Sequence, residues 1–133
     1  STAPINVHWG TENRTVGLRV PASAPESRRI ENRIAGADAN PYLAIAASLA
    51  CGYLGLVQGL EPTKPITGSA YRLSHSLPTQ LGEGLEKLAA SKTMREVLGE
   101  EFVEVMLAVK ETEHAAYQSV ISSWEREHLL LNV

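Results

Sequence analysis

The sequence predicts an α+β fold, with strands first and a helical half after them. Apolar residues alternate with polar ones through the first third of the chain, which is the two-residue period of a strand. From Asn40 onward they recur every three or four positions, the period of a helix. Stretches at 21–27 and 59–68, rich in Pro, Gly and small residues, separate these runs as loops.

Ile5, Val7 and Trp9 form the first alternating run, broken by a turn-like segment at Gly10–Asn13. Val16, Leu18 and Val20 form the second, and Pro21 closes it. In the third, Ile30, Asn32 and Ile34 share one face; Arg29, Glu31, Arg33 and Ala35 share the other. The expectation is antiparallel strands across residues 5–35, the third of them buried. Asn40 is a good helix N-cap and Pro41 suits the first helical position, so helices are expected over 41–131. In the first helix, Leu43, Ala47, Ala50, Leu54 and Val57 make one stripe, and Ile45, Leu49 and Leu56 widen it. A helix apolar on two sides is expected to be buried. A second helix is predicted over 78–90. A third is predicted over 100–120, with Phe102, Val105, Val109, Ala116 and Val120 on one face. Ser122-Ser123-Trp124-Glu125 is a capping-box pattern and opens a short last helix.

A chain of 133 residues is the size of one domain, read here as a single portion, 1–133. Its net charge of −3 leaves no basic footprint and argues against a nucleic-acid partner. The single cysteine, Cys51, excludes an internal disulfide framework, fits a reducing compartment such as the cytoplasm, and is expected to pack as a small apolar group. No apolar run reaches the roughly 20 residues that span a bilayer, and no signal-peptide pattern is present. The opening Ser1-Thr2-Ala3-Pro4, without an initiator methionine, reads as a fragment or a processed product.

The chemistry concentrates in two stretches, "NRTVGLRV" and "RRIENRIAGADANPYL". Arg14, Arg19, Arg28, Arg29 and Arg33 are five of the twelve basic residues, within twenty positions. Glu31 projects beside Arg29 and Arg33 on one strand face. Arg14 and Arg19 are five apart, so a regular strand would put them on opposite faces; Arg14 belongs near the turn. An ion pair that merely holds the strands is the plain account of Glu31. One carboxylate cannot neutralise five arginines, however, and an anionic ligand could. Carboxylates suit hard cations such as Mg²⁺, and the planar guanidinium suits phosphate. A polyphosphate with its metal is the ligand this combination favours.

"NRTVGLRVP" followed by "RRIENRIAGADANPYLAIAASLACG" resembles the C-terminal part of the glutamine synthetase catalytic domain, and "WEREHLLLNV" is similar to the tail of many members. "WGTENRT" and "GADANPYL" look closest to the branch that glutamylates amines and polyamines, the γ-glutamylputrescine synthetases. The resemblance implies an ATP-dependent ligase that joins an amine to the γ-carboxylate of glutamate through a γ-glutamyl phosphate, with Mg²⁺ or Mn²⁺ as cofactor. It implies that Arg14 bridges ATP and the glutamyl group, and that Arg19 binds nucleotide phosphate. Glu31 matches a metal ligand, and Arg33 the arginine on the glutamate substrate beside the transferred phosphoryl group. Arg28 and Arg29 fall at nucleotide-side arginines. Glu26 stands where ammonia-using members carry a lysine near the nucleotide. The resemblance further implies a large homo-oligomer with active sites between subunits, and a chain that by itself is inactive. Ammonia as the acceptor, and a non-catalytic assembly relative, are the alternatives.

The remaining candidates read as ordinary. His8, His75, His114 and His128 lack metal-ligand spacing, and Tyr71 reads as a loop tyrosine. Trp9 fits core packing better than the wall of an amine pocket, where it would act by cation–π attraction.

Overall fold

The computed structural model describes residues 3–130, which fall into two compact units divided between Leu77 and Pro78. The first holds a three-stranded sheet, β1 (Trp9–Thr11), β2 (Leu18–Val20) and β3 (Glu31–Asn32), and the helix α1 (Pro41–Val57). The second holds α2 (Leu81–Ala90), α3 (Lys92–Leu98), α4 (Glu100–Gln118) and α5 (Ser123–His128). The α+β order is as the sequence predicts. The strands are shorter than the alternating runs, β1 runs through Gly10 and Thr11 where a turn was expected, and α3 was not expected. Leu131, at the end of the expected helical range, lies outside the described residues.

The sheet order is β1-β2-β3. β2 and β3 are antiparallel, as expected, with Leu18 opposite Asn32 and Arg19 opposite Glu31. β1 and β2 run parallel, with Gly10 beside Arg19, which corrects the all-antiparallel expectation. The chain between them does not close a hairpin. Residues 12–17 instead double back through the Arg14 turn, and the Leu18 N–H donates to His8 O at 3.1 Å.

The other edge of β1 is taken by the loop after α1. Ile66 N–H donates to Trp9 O at 2.8 Å, and the Trp9 indole N–H donates to Thr63 O at 2.7 Å. Gly10 is required at this crossing, because a Cβ there would lie 2.6 Å from Ile66 O. Asn6 is fully buried and donates to Ala70 O at 2.9 Å, and Ile5 O accepts from the N–H groups of Ser76 and Leu77. Residues 5–18 and 63–77 are thus laced together by main-chain and amide bonds around Val16 and Ala70.

Asn40 caps α1 as predicted, its Oδ1 accepting from the N–H groups of Tyr42 and Leu43. The far end closes on Gly59 at φ +60°, with Leu60 N–H on Gly55 O and Gly59 N–H on Leu56 O. That is the Schellman arrangement, which favours glycine at the left-handed position. Asn32 Nδ2 ties β3 to α1 by donating to Ser48 Oγ at 2.9 Å.

Two burial expectations are corrected. Of α1 only Ala50 is buried, and Leu49 and Leu56 are 69% and 84% exposed. The β3 region is likewise open, with Ile30 69% exposed. Apolar periodicity reports a face built to be covered; these described residues cover only one side of it.

In the second unit Leu85, Val103 and Leu107 form a core, with Leu88 and Leu98 packed on it. The face of α4 that packs is therefore 103/107, while Phe102, Val105, Val109 and Val120 are exposed. The helix is apolar on two sides, and periodicity alone does not select between them. Gly99 at φ +93° makes the corner between α3 and α4. The capping box at Ser122 is present, with Glu125 N–H on Ser122 Oγ and Ser122 N–H on Glu125 Oε2.

Candidate functional site

The β2–β3 register builds the site. Directly opposed residues on antiparallel strands bring their Cβ atoms to about 5 Å, close enough for a charge pair. Arg19 Nη1 donates to both Glu31 oxygens, at 3.1 and 2.9 Å, and Nη2 donates to Glu12 Oε2 at 2.9 Å. Arg29 Nη2 lies 3.5 Å from Glu31 Oε1. The Arg19 side chain is only 12% exposed, and its Nε is buried without a hydrogen-bond partner.

Arg14 sits in the turn before β2, as its spacing suggested. Asn13 and Thr15 brace that turn on either side. Asn13 Oδ1 accepts from the Thr15 N–H and hydroxyl, an Asx turn, while its Nδ2 donates to Ile66 O and Gly68 O. Thr15 Oγ1 accepts from Ala70 N–H at 2.8 Å. Arg14, Thr15, Arg19, Glu31, Arg33 and Tyr71 line one open cleft of ≈ 500 Å³.

Three cations and one carboxylate line this cleft, so it presents a positive surface. The hydrogen bond from Arg19, reinforced by the fields of Arg19, Arg29 and Arg33, holds the Glu31 carboxyl below its usual range against the opposing effect of desolvation. Glu12 is lowered as well, first by the Ala22 backbone N–H and then by Arg19. Arg19 is raised by Glu31 and Glu12. All three groups are therefore charged at neutral pH.

The donor set fits a polyphosphate, since the guanidinium excess calls for anionic oxygen. For a divalent cation, Glu31 is the only carboxylate among the described residues that line the cleft. Among the described residues no three His, Cys, Asp or Glu side chains gather as a metal site. Glu31 can therefore supply one oxygen ligand, with the others coming from elsewhere.

The structure thus brings together Arg14, Arg19, Glu31 and Arg33. Arg29 joins through Glu31, whereas Arg28 is exposed and does not line the cleft; Glu26 is exposed in a 3₁₀ turn. Sequence reasoning missed Glu12, Asn13, Thr15 and Tyr71. Asn-x-Thr before a strand is an Asx-turn signal that points to Asn13 and Thr15; nothing local points to Tyr71. Trp9 is committed to the loop at Thr63, not to the cleft. Cys51 is exposed, against the expectation of apolar packing, because α1 turns that side outward.

Residues 1–129 match the family of the glutamine synthetase catalytic domain. The chain belongs to that family. It is 43% identical over 129 residues to a glutamate–isopropylamine ligase of a Pseudomonas species, covering 94% of this chain and 28% of the relative. It is 40% identical to type-1 glutamine synthetase 2 of Dictyostelium discoideum, covering 96% and 26%. It is 38% identical to a γ-glutamylethanolamide synthetase of Streptomyces coelicolor, covering 94% and 27%. The solved structure of apo GmaS without ligand superposes with a TM-score of 0.79 at 29% identity, covering 96% of this chain and 30% of that one. The chain spans less than a third of the length of these relatives. No helix among the described residues is long and apolar enough to cross a membrane.

Proposed function

We propose that the protein carrying this chain is an ATP-dependent glutamate–amine ligase, and that the cleft is the part of its active site that handles phosphate and glutamate. The observation that carries this reading is the gathering of Arg14, Arg19, Arg33 and Glu31 in one cleft. Phosphoryl transfer is chiefly a matter of positioning and of neutralising charge on the transferred oxygens. In this reading Arg14 and Arg19 hold the ATP phosphates. Arg33 fixes the glutamate beside the γ-phosphoryl group, with Arg14 bridging the two substrates. Glu31 holds Mg²⁺ or Mn²⁺, which supplies charge neutralisation when bound. A glutamate γ-carboxylate oxygen attacks the γ-phosphorus and ADP leaves. The amine nitrogen then attacks the acyl carbon, phosphate leaves, and the nitrogen sheds a proton.

The amine acceptor is supported by the two amine-ligase relatives and by the "WGTENRT" and "GADANPYL" segments. Ammonia is the second reading, favoured by the Dictyostelium glutamine synthetase at 40% identity. Cytoplasmic location and a homo-oligomer with shared sites complete the proposal. The test is ADP release by the full-length protein with glutamate and, in turn, isopropylamine, ethanolamine, putrescine and ammonium. ATP- and glutamate-dependent turnover with an alkylamine preference is expected, and the 133-residue chain by itself is expected to be inactive. Preference for ammonium would return the protein to the glutamine synthetases proper. No release with any acceptor would end the ligase reading.

A further inference from the structure

We propose that Glu12 is the positioning residue that keeps Arg19 aimed into the cleft when Glu31 binds a divalent cation. The inference rests on the ligase reading and adds a role at the same site. Arg19 is held between two carboxylates on opposite sides of its guanidinium: Glu31 on Nη1 and Glu12 on Nη2. Both Glu31 oxygens are engaged by Arg19, so a cation at Glu31 competes for the same lone pairs and repels the guanidinium. Such an ion takes its oxygens at about 2.0–2.6 Å, which displaces the existing bonds. Without a second anchor Arg19 would lose its orientation at the moment its phosphate contact is needed.

Glu12 is built to be that anchor. It does not line the cleft itself, so it does not compete for the ligand there. Its Oε1 accepts from the Ala22 backbone N–H, and its own N–H donates to Val20 O at 3.1 Å. Its backbone sits at φ +55°, a left-handed conformation that glutamate rarely adopts, and it is the only such non-glycine among the described residues. Strain of this kind persists where surrounding bonds over-determine it, and here those bonds aim the carboxylate at Arg19. With Nη2 fixed on Glu12, a freed Nη1 becomes available to phosphate oxygens.

The test compares the full-length protein with its Glu12→Gln variant, measuring ADP affinity by calorimetry with saturating Mg²⁺ and again in EDTA. Loss of a charge-assisted hydrogen bond corresponds to about a tenfold rise in Kd, expected in Mg²⁺. In EDTA, where Glu31 still holds Arg19, the two proteins should agree within about twofold. The KM for glutamate should not move. Equal affinities in Mg²⁺, or an equal loss in both conditions, would overturn the assignment. If ADP binds too weakly to measure in EDTA, the Mg²⁺ comparison decides together with the glutamate KM. If Glu12→Gln does not fold, Glu12→Asp keeps the charge with a shorter reach and should show the same pattern at smaller size. A wild type that binds no ADP in either condition brings down the ligase reading as well. A wild type that binds and turns over while Glu12→Gln matches it brings down the Glu12 role alone.

Discussion

Two arginines in this chain each bridge two glutamates, and they do different things. Arg95, in α3, reaches Glu100 and Glu104 of α4 through Nη1 and donates from Nε to Ala89 O at 2.9 Å. Arg19 bridges Glu12 and Glu31 in the same fashion, but its Nε is buried with nothing to donate to. Arg95 has two carboxylates beside it and stands at a helix corner, where its bonds tie three consecutive segments together. Arg19 stands in a cleft where cations outnumber carboxylates. A buried donor left without a partner costs free energy, so the Arg19 environment is the less satisfied of the two. Both arginines line open clefts, but cations and carboxylates balance in the cleft of Arg95, whereas cations are in excess in that of Arg19.

Matched substitutions sharpen this contrast. Arg19→Met in the full-length enzyme should lower kcat/KM by about 10²–10³-fold, the usual effect of deleting one donor to developing charge. A melt beside the assay separates this loss from the stability cost of the Glu12 and Glu31 bonds that Arg19 also makes. Arg95→Met should leave kcat/KM within about twofold and lower only the thermal midpoint, through lost hydrogen bonds in a partly exposed network. Denaturant midpoints of the two variants measure the difference, and equal activity losses would erase the distinction.

The smallest effect concerns acid. The folded-state pKa of Glu31 is depressed, so its contribution to stability is complete above the unfolded-state value and fades as pH falls through the folded one. The stability gap between wild type and Glu31→Gln should therefore be largest near neutrality and close on the acid side of the ordinary carboxylate range. A gap that widens toward acid would mean that Arg19 does not hold the Glu31 carboxylate in solution.

How much of this was legible in sequence differed by feature. The caps at Asn40 and Ser122 were, because capping depends on a few adjacent residues. The meeting of Glu31 and Arg33 was, because it follows from strand alternation. The pairing of Arg19 with Glu31 was not, because it needs the register of two strands separated by the ten-residue connection 21–30. Glu12 was invisible for a related reason: its role follows from a left-handed backbone that only the folded chain imposes. The parallel β1–β2 pair was hidden because alternation is the same in either direction. The faces of α1 and α4 were misjudged because each helix is apolar on two sides, and only the neighbouring elements decide which one is covered.

The indole bond from Trp9 to Thr63 has a practical consequence. The chain has two tryptophans, and they fall one to each compact unit: Trp9 on β1, and Trp124 in α5, stacked on His128 with ring centroids 4.7 Å apart. Intrinsic fluorescence therefore reads the two units through separate chromophores. Trp124→Phe leaves the emission of Trp9 as a reporter of whether the 59–68 loop is still docked on the sheet, and Trp9→Phe leaves Trp124 to follow the helices. The same two proteins would show whether the arginine cleft and the helical half melt together or apart.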